Sequence, residues 1–285
     1  MYPARERGIT ARYVALKGGL KIRVIESGTE NDESIVLVHG WGACVYTFAE
    51  MLPALVAARY RVIALDLPGH GLSDKPNDAS VYSTRALSDV VLEVASALGV
   101  RQFTIVGHSM GASLALDLAT RGERRVERIV LVNSVGLGSA PILLPARLFT
   151  PRLIDRITPA LLTRTTVSWI LRVAFGTPER PTDRDVDEYW APTQFDEYAW
   201  ACRACLHHVS WGRTAATKLR SLRLPVLVII GGRDVLVRGA AARARLIPGA
   251  RIVTIPRGGH LVLQECATQT NAELVSFLRG RRKTH

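Results

Sequence analysis

Apolar residues along the chain gather first in strand-length runs: near 12–16, at 22–26 beyond the turn "KGG" (17–19), and in "SIVLVHG". The last is a continuous apolar run that stops at glycine, the pattern of a strand buried on both faces. The pattern then predicts a helix over 45–57, a strand over "RVIALD" (61–66) and, past the loop "LPGHGLSDKPND", a helix over 84–98. The strand "FTIVG", a helix from Ser109 to about 121 and the strand "RIVLVN" (128–133) follow. Alternation of this kind implies parallel crossover units and a sheet covered on both faces.

The rhythm breaks at 136. Residues 136–213 hold no convincing buried strand, and five aromatic positions cluster at 189–200. Alternation resumes with "PVLVIIGG" (225–232), a helix near 238–246, the strand "ARIVTIP" (250–256) and a terminal helix over 265–280. The chain thus reads as an α/β core, 1–135 and 214–285, with a helical cap, 136–213, inserted in it. A length of 285 residues fits one large domain with such an insertion.

One junction carries chemistry. Gly107-His108-Ser109-Met110-Gly111 is a G-x-S-x-G sequence between a strand and a helix. On such a turn the serine takes a strained backbone so that its oxygen projects above the sheet, and glycines two positions away avoid clashes. The start of the following helix adds a free N–H and positive potential. A serine hydroxyl is a weak nucleophile and needs a base that is itself held by a third group.

Seven histidines compete for that role. His285 is in the tail, His39 and His70 lie in loops, and His207 and His208 lie in the insertion. His108 adjoins the serine, but on a bent turn its side chain should point away from the serine oxygen. His260, in "PRGGHLVLQE" just beyond the last strand, sits where sites in open α/β sheets form. Asp234, in "VIIGGRDVLV", is the matching acid at a strand end. Asn133 ends another strand but carries no charge, and Asp66 is better suited to fixing its own loop. Oxyanion donors are expected from the N–H groups of Met110 and Trp41, with His39 as a loop-ordering residue.

The segments "HGWG" (39–42), "DLPGHGLSD" (66–74), "GHSMG" (107–111), "GGRD" (231–234) and "GGHLVLQE" (258–265) occur in the order of the α/β-hydrolase superfamily, which the chain resembles over roughly 20–280. The resemblance implies an α/β-hydrolase fold: a mostly parallel eight-stranded sheet flanked by helices, with a helical cap inserted after the sixth strand. It carries over nucleophile Ser109, acid Asp234, base His260 and oxyanion donors Trp41 and Met110, with no cofactor and no metal. Haloalkane dehalogenases and epoxide hydrolases are similar in the "DLPGHGLSD" region but use aspartate where this chain has Ser109. Carbon–carbon bond hydrolases of the meta-cleavage type use serine, yet typically have Asn before it and Trp after the catalytic histidine. This chain has His108 and Leu261 there. Cys266 stands where many relatives have proline, with no expected effect on the chemistry.

The expectation is a serine hydrolase cleaving a carboxylic ester, small-molecule or acyl, through an acyl-enzyme. Alternatives are a carbon–carbon bond hydrolase and a slow-turnover ligand-binding or signalling member of the same fold.

Charge adds a second question. The chain carries 37 Lys and Arg against 25 Asp and Glu, a net charge of +12. Residues 139–176 hold Arg147, Arg152, Arg156, Arg164 and Arg172 against Asp155, with leucine and isoleucine at near-helical spacing between them. Solvated arginines on amphipathic cap helices explain this; so does docking on an acidic carrier protein or an anionic membrane surface, with "PILLPARLF" (141–149) as apolar edge. No nucleic-acid motif accompanies the charge, so no nucleic acid is expected. Cys202, Cys205 and His208 in "CRACLHH" would share one side of a helix, but packed cap cysteines account for them without a metal. The opening "MYPARERGIT" lacks the apolar core of a signal peptide, and the longest uncharged stretch, 129–146, is broken by polar residues, glycine and proline. With four cysteines and no secretory signal, a cytoplasmic protein with free thiols is expected. The basic tail 279–285 reads as disordered.

Overall fold

In a computed structural model of the chain, eight strands form one sheet in the order β1-β2-β4-β3-β5-β6-β7-β8. The structure describes residues 1–285 except 4, 5, 7, 32, 142, 149, 151–153, 178, 179 and 281–285. Most of the tail, Arg152, the side chain of Arg156 and part of the 141–149 edge therefore lie outside the described residues. The strands are β1 (Ile9–Ala15), β2 (Lys21–Ser27), β3 (Ser34–Val38), β4 (Arg61–Leu65), β5 (Phe103–His108), β6 (Val126–Val132), β7 (Val226–Gly231) and β8 (Arg251–Ile255). β1 pairs antiparallel with β2 and β2 with β4; all other pairings are parallel.

Every residue of β3 and β5 is buried, which is why their sequences run apolar without alternating. The period of two survives as a division of labour between the faces. Val36, Val38, Ile63, Ile105 and Leu131 pack on one side with helices α2 and α3, whereas Ile35, Leu37, Val62, Val106 and Val130 pack on the other with α1 and α12. The helices before β7 are α1 (Leu52–Ala57), α2 (Thr84–Ala97), α3 (Met110–Thr120), α4 (Leu143–Leu148), α5 (Ile154–Leu161), α6 (Arg164–Ala174), α7 (Asp183–Trp190), α8 (Tyr198–His208) and α9 (Ala216–Ser221). After β7 come α10 (Ala240–Ala244), α11 (Val262–Glu265) and α12 (Ala267–Arg279). α2 shows how the sequence writes such an element: Ser83 caps it by accepting from the Ala86 N–H, and Leu87, Val90, Val91 and Val94 form its buried stripe.

Three predicted elements differ in extent. β1 starts at Ile9 because its register with β2 runs back to the Ile9–Ser27 pair. The helix expected over 45–57 divides into a 3-10 turn, Val45–Phe48, and α1. Asp66 Oδ1 takes the Val45 N–H at 2.8 Å, and Pro53 has no N–H with which to continue an earlier helix. The terminal helix likewise breaks at Cys266, whose φ of −122° and ψ of 39° separate α11 from α12.

Between β6 and β7 the described residues form helices α4 to α9 and no strand. On α8, Cys205 is buried, Cys202 is partly exposed and His208 faces solvent, so the three do not converge. Among the described residues no helix is long and apolar enough to cross a membrane.

Candidate active site

At the end of β5 the chain turns into α3 through Ser109, at φ 55° and ψ −111°. A serine held there is strained, and the contacts around it show what enforces the strain. A side-chain carbon added at Gly107 would lie 2.4 Å from the Gly111 carbonyl oxygen, directly across the turn. One added at Gly111 would lie 2.1 Å from the Val38 oxygen, so this glycine lets the start of α3 press against the end of β3. Both glycines are needed, for two different close approaches.

The bend presents Ser109 to His260. Ser109 Oγ lies 3.0 Å from His260 Nε2, and His260 Nδ1 lies 2.9 Å from Asp234 Oδ2. Because an ionised carboxylate only accepts, Nδ1 carries the proton and Nε2 is left to accept from the serine hydroxyl. Burial opposes the charge on Asp234, but its hydrogen bond to His260 and the Val237 and Leu236 amides outweigh it and hold the carboxyl below its usual pKa. Ser109 and His260 are both nearly closed off from solvent.

Met110 directly follows Ser109, and Trp41 follows Gly40 in the loop after β3. Met110 opens α3, so its N–H has no partner within the helix. Neither its amide nor that of Trp41 has an acceptor among the described residues. The Trp41 loop lies directly against the bend: a carbon added at Gly40 would come within 3.0 Å of Ser109 Cβ. His39 sets the direction of this loop. Its Nδ1 donates to the Gly40 oxygen at 2.7 Å while its Nε2 accepts the Leu67 N–H. In a trans peptide the N–H points opposite to the C=O, so tying down the Gly40 carbonyl turns the Trp41 N–H the other way. Burial pushes the His39 pKa down to about 4, which keeps the ring neutral and able to serve both bonds.

His108 bonds the backbone of the catalytic loop. Its Nε2 donates to the His260 carbonyl oxygen at 2.8 Å, and the two rings lie 4.8 Å apart. Burial, followed by the neighbouring His260, drops the His108 pKa to about 3.

Asn133 is the residue that sequence reasoning set aside for lacking a charge. Its Nδ2 donates to the carbonyls of Gly259 (3.0 Å) and His260 (2.9 Å), and its Oδ1 accepts the Gly231 N–H at 2.8 Å. One amide thus joins the histidine loop to the end of β7, three residues before Asp234. Its φ of 46° is the available signal, because asparagine tolerates the left-handed region better than most residues. Asn133→Ala is expected to lower kcat by about 100-fold with KM little changed, since loosening the loops misplaces the base. Steady-state kinetics beside a thermal melt check this; an unchanged kcat in a folded variant removes Asn133 from a positioning role.

The helices between β6 and β7 also reach the site. Ala174, at the end of α6, accepts the His260 N–H at 2.7 Å, and Glu265 bonds the amides of both Gly176 and Gly259. Burial pushes the Glu265 carboxyl up despite these amides.

Asp66 holds more than its own loop. It accepts from Leu72 N and Val45 N, and it pairs with the buried Arg23 guanidinium at 3.2 Å. Among the described residues no group of three or more His, Cys, Asp or Glu could hold a metal ion.

Comparison with known proteins bears on the family and the fold. The model of the Alpha/beta hydrolase family matches residues 35–273. The dihydrolipoyllysine-residue acetyltransferase component of the acetoin cleaving system of Pseudomonas putida is 33% identical over 264 residues, covering 92% of this chain and 68% of that protein. The chain spans little more than half the length of other curated relatives that it matches. Among solved structures, Cfl2 from Burkholderia cenocepacia superposes with a TM-score of 0.81 at 24% identity, covering 95% of this chain and 96% of Cfl2. The meta-cleavage product hydrolase CumD from Pseudomonas fluorescens IP01 gives 0.79 at 22% identity, covering 94% and 97%. At such identities the structural likeness speaks for the fold. With the family match spanning most of its length, the chain belongs to the alpha/beta hydrolase family.

Proposed function

We propose that the protein is a serine hydrolase that cleaves a carboxylic ester through an acyl-enzyme. The observation that carries this reading is the continuous relay from Ser109 Oγ through His260 to Asp234, with the serine on a strained bend. Ser109 Oγ attacks the acyl carbon while His260 Nε2 takes its proton. Asp234 keeps Nδ1 protonated and balances the imidazolium that forms. The developing oxyanion is received by the Trp41 and Met110 N–H groups. His260 then returns the proton to the leaving alcohol, and water, activated by the same nitrogen, releases the acid.

CumD is named a meta-cleavage product hydrolase, and carbon–carbon bond hydrolysis is the second reading. His108 and Leu261 speak for the ester, since the meta-cleavage type typically has Asn and Trp there. A fluorophosphonate probe is expected to label Ser109, with labelling competed by p-nitrophenyl esters of increasing acyl length. Peptide mapping locates the adduct. A label elsewhere, or turnover of a vinylogous diketone with none of any ester, overturns the ester reading. Labelling of Ser109 with negligible steady-state hydrolysis favours a slow-turnover binding member of the fold.

A further inference from the structure

The outer face of α6 is an exposed apolar surface that chemistry at Ser109 leaves unused. Val167, Leu171 and Ala174 turn inward into the core, while Trp169, Ile170 and Val173 face solvent. Trp169 is 66% exposed, and Leu161, at the end of the preceding helix α5, is also a bare apolar side chain. Monomeric proteins seldom leave a tryptophan in such company without a use for it.

Arginines edge this strip. Arg172 is exposed on the same face and has no ion-pair partner among the described residues. Just beyond α6, Arg233 donates to the Gly176 carbonyl, and exposed Arg180 and Arg257 act electrostatically on nearby Cys266. Glu265, the acid in their midst, is turned inward onto the Gly176 and Gly259 amides. The result is an amphipathic helix with an apolar outer strip, Arg172 on that strip and arginines beyond its C-terminal end, while at its N-terminal end Arg164 is paired with Asp183 and Asp187.

We propose that this face of α6 docks on an anionic lipid surface. Tryptophan favours the boundary between headgroups and acyl chains, and arginines beside it can reach lipid phosphates. The helix would lie in the plane of the interface. A second copy of the chain fits poorly, because it would bring another net charge of +12 to the contact. An acidic soluble protein would be served by the arginines alone and gives the exposed apolar side chains no role. The inward side of the same helix carries the Ala174 carbonyl that holds the His260 N–H, so the docking face and the catalytic base share one rigid element.

The test uses the full chain in co-sedimentation with vesicles of phosphatidylcholine alone and of phosphatidylcholine with one third phosphatidylglycerol. Wild type is expected to bind the anionic vesicles about tenfold more tightly, with the preference lost between about 0.1 M and 1 M salt. Trp169→Ser and Arg172→Ser should each weaken binding about fivefold, while hydrolysis of p-nitrophenyl acetate in water stays unchanged. Ser109→Ala should bind like wild type, which separates docking from the proposed hydrolysis. No preference for anionic vesicles in wild type overturns the proposal. So does full binding by both surface variants, tighter binding of a purified acidic carrier protein than of vesicles, or a Trp169-dependent dimer in sedimentation velocity.

Discussion

Ser109→Ala is expected to reduce kcat on short p-nitrophenyl esters by about four to six orders of magnitude, with the fold intact. The size follows from how the site is arranged. Ser109 Oγ is the hydroxyl that His260 Nε2 contacts, and Asp234 reaches the reaction only through that ring, so removing the oxygen leaves the relay nothing but water to activate. Residual rate would come only from water attacking in its place. Loss of one oxygen on a turn that glycines already hold open should leave the melting temperature close to that of wild type, or raise it by relieving strain at φ 55°. A variant that retains ester turnover, measured on protein free of wild-type contamination, sinks the assignment of Ser109.

Acidification should destabilise the protein before its carboxylates are protonated. His39, His70 and His108 are wholly buried and neutral, with pKa values pushed down by burial to about 4, 3 and 3. In the unfolded chain each titrates near the ordinary value of about 6.5. Below that pH the unfolded state binds protons that the folded state refuses, so stability is complete above it and falls until the folded pKa values are reached. Each ring then removes about 1.4 kcal/mol per pH unit, or about 2 kcal/mol by pH 5. The three together take about 6 kcal/mol, a large part of the 5–15 kcal/mol that a typical domain has. Urea titrations at pH 7.5, 6 and 5, with proton uptake measured on unfolding, report the effect directly. Equal stability at pH 7.5 and 5 would show that these rings are solvated or charged in the folded protein.

Much of this architecture is written locally. Apolar runs ending in glycine located β3 and β5, and the residues just beyond β5, β7 and β8 supplied Ser109, Asp234 and His260. What the sequence hid depends on partners far along the chain. Asn133 acts through Gly231, Gly259 and His260, roughly a hundred residues away, and no periodicity points to an uncharged amide. The start of the 3-10 turn at Val45 is fixed by Asp66 taking its N–H, a bond that joins the loops after β3 and β4. The contact of the α6 end with the site rests on the Ala174 carbonyl, on Glu265 and on the glycines at 176 and 259, which leave no room for a side chain; Ala174 and Gly176 meet their partners only across a long stretch of chain.

Those backbone bonds make the order of the catalytic base depend on the segment that ends α6. With the Ala174 carbonyl on the His260 N–H and the Gly176 N–H on Glu265, removal of residues 164–177 would strip both groups of these partners. The other side of the site is tied as well, since the Trp41 indole N–H donates to the Cys202 carbonyl of α8.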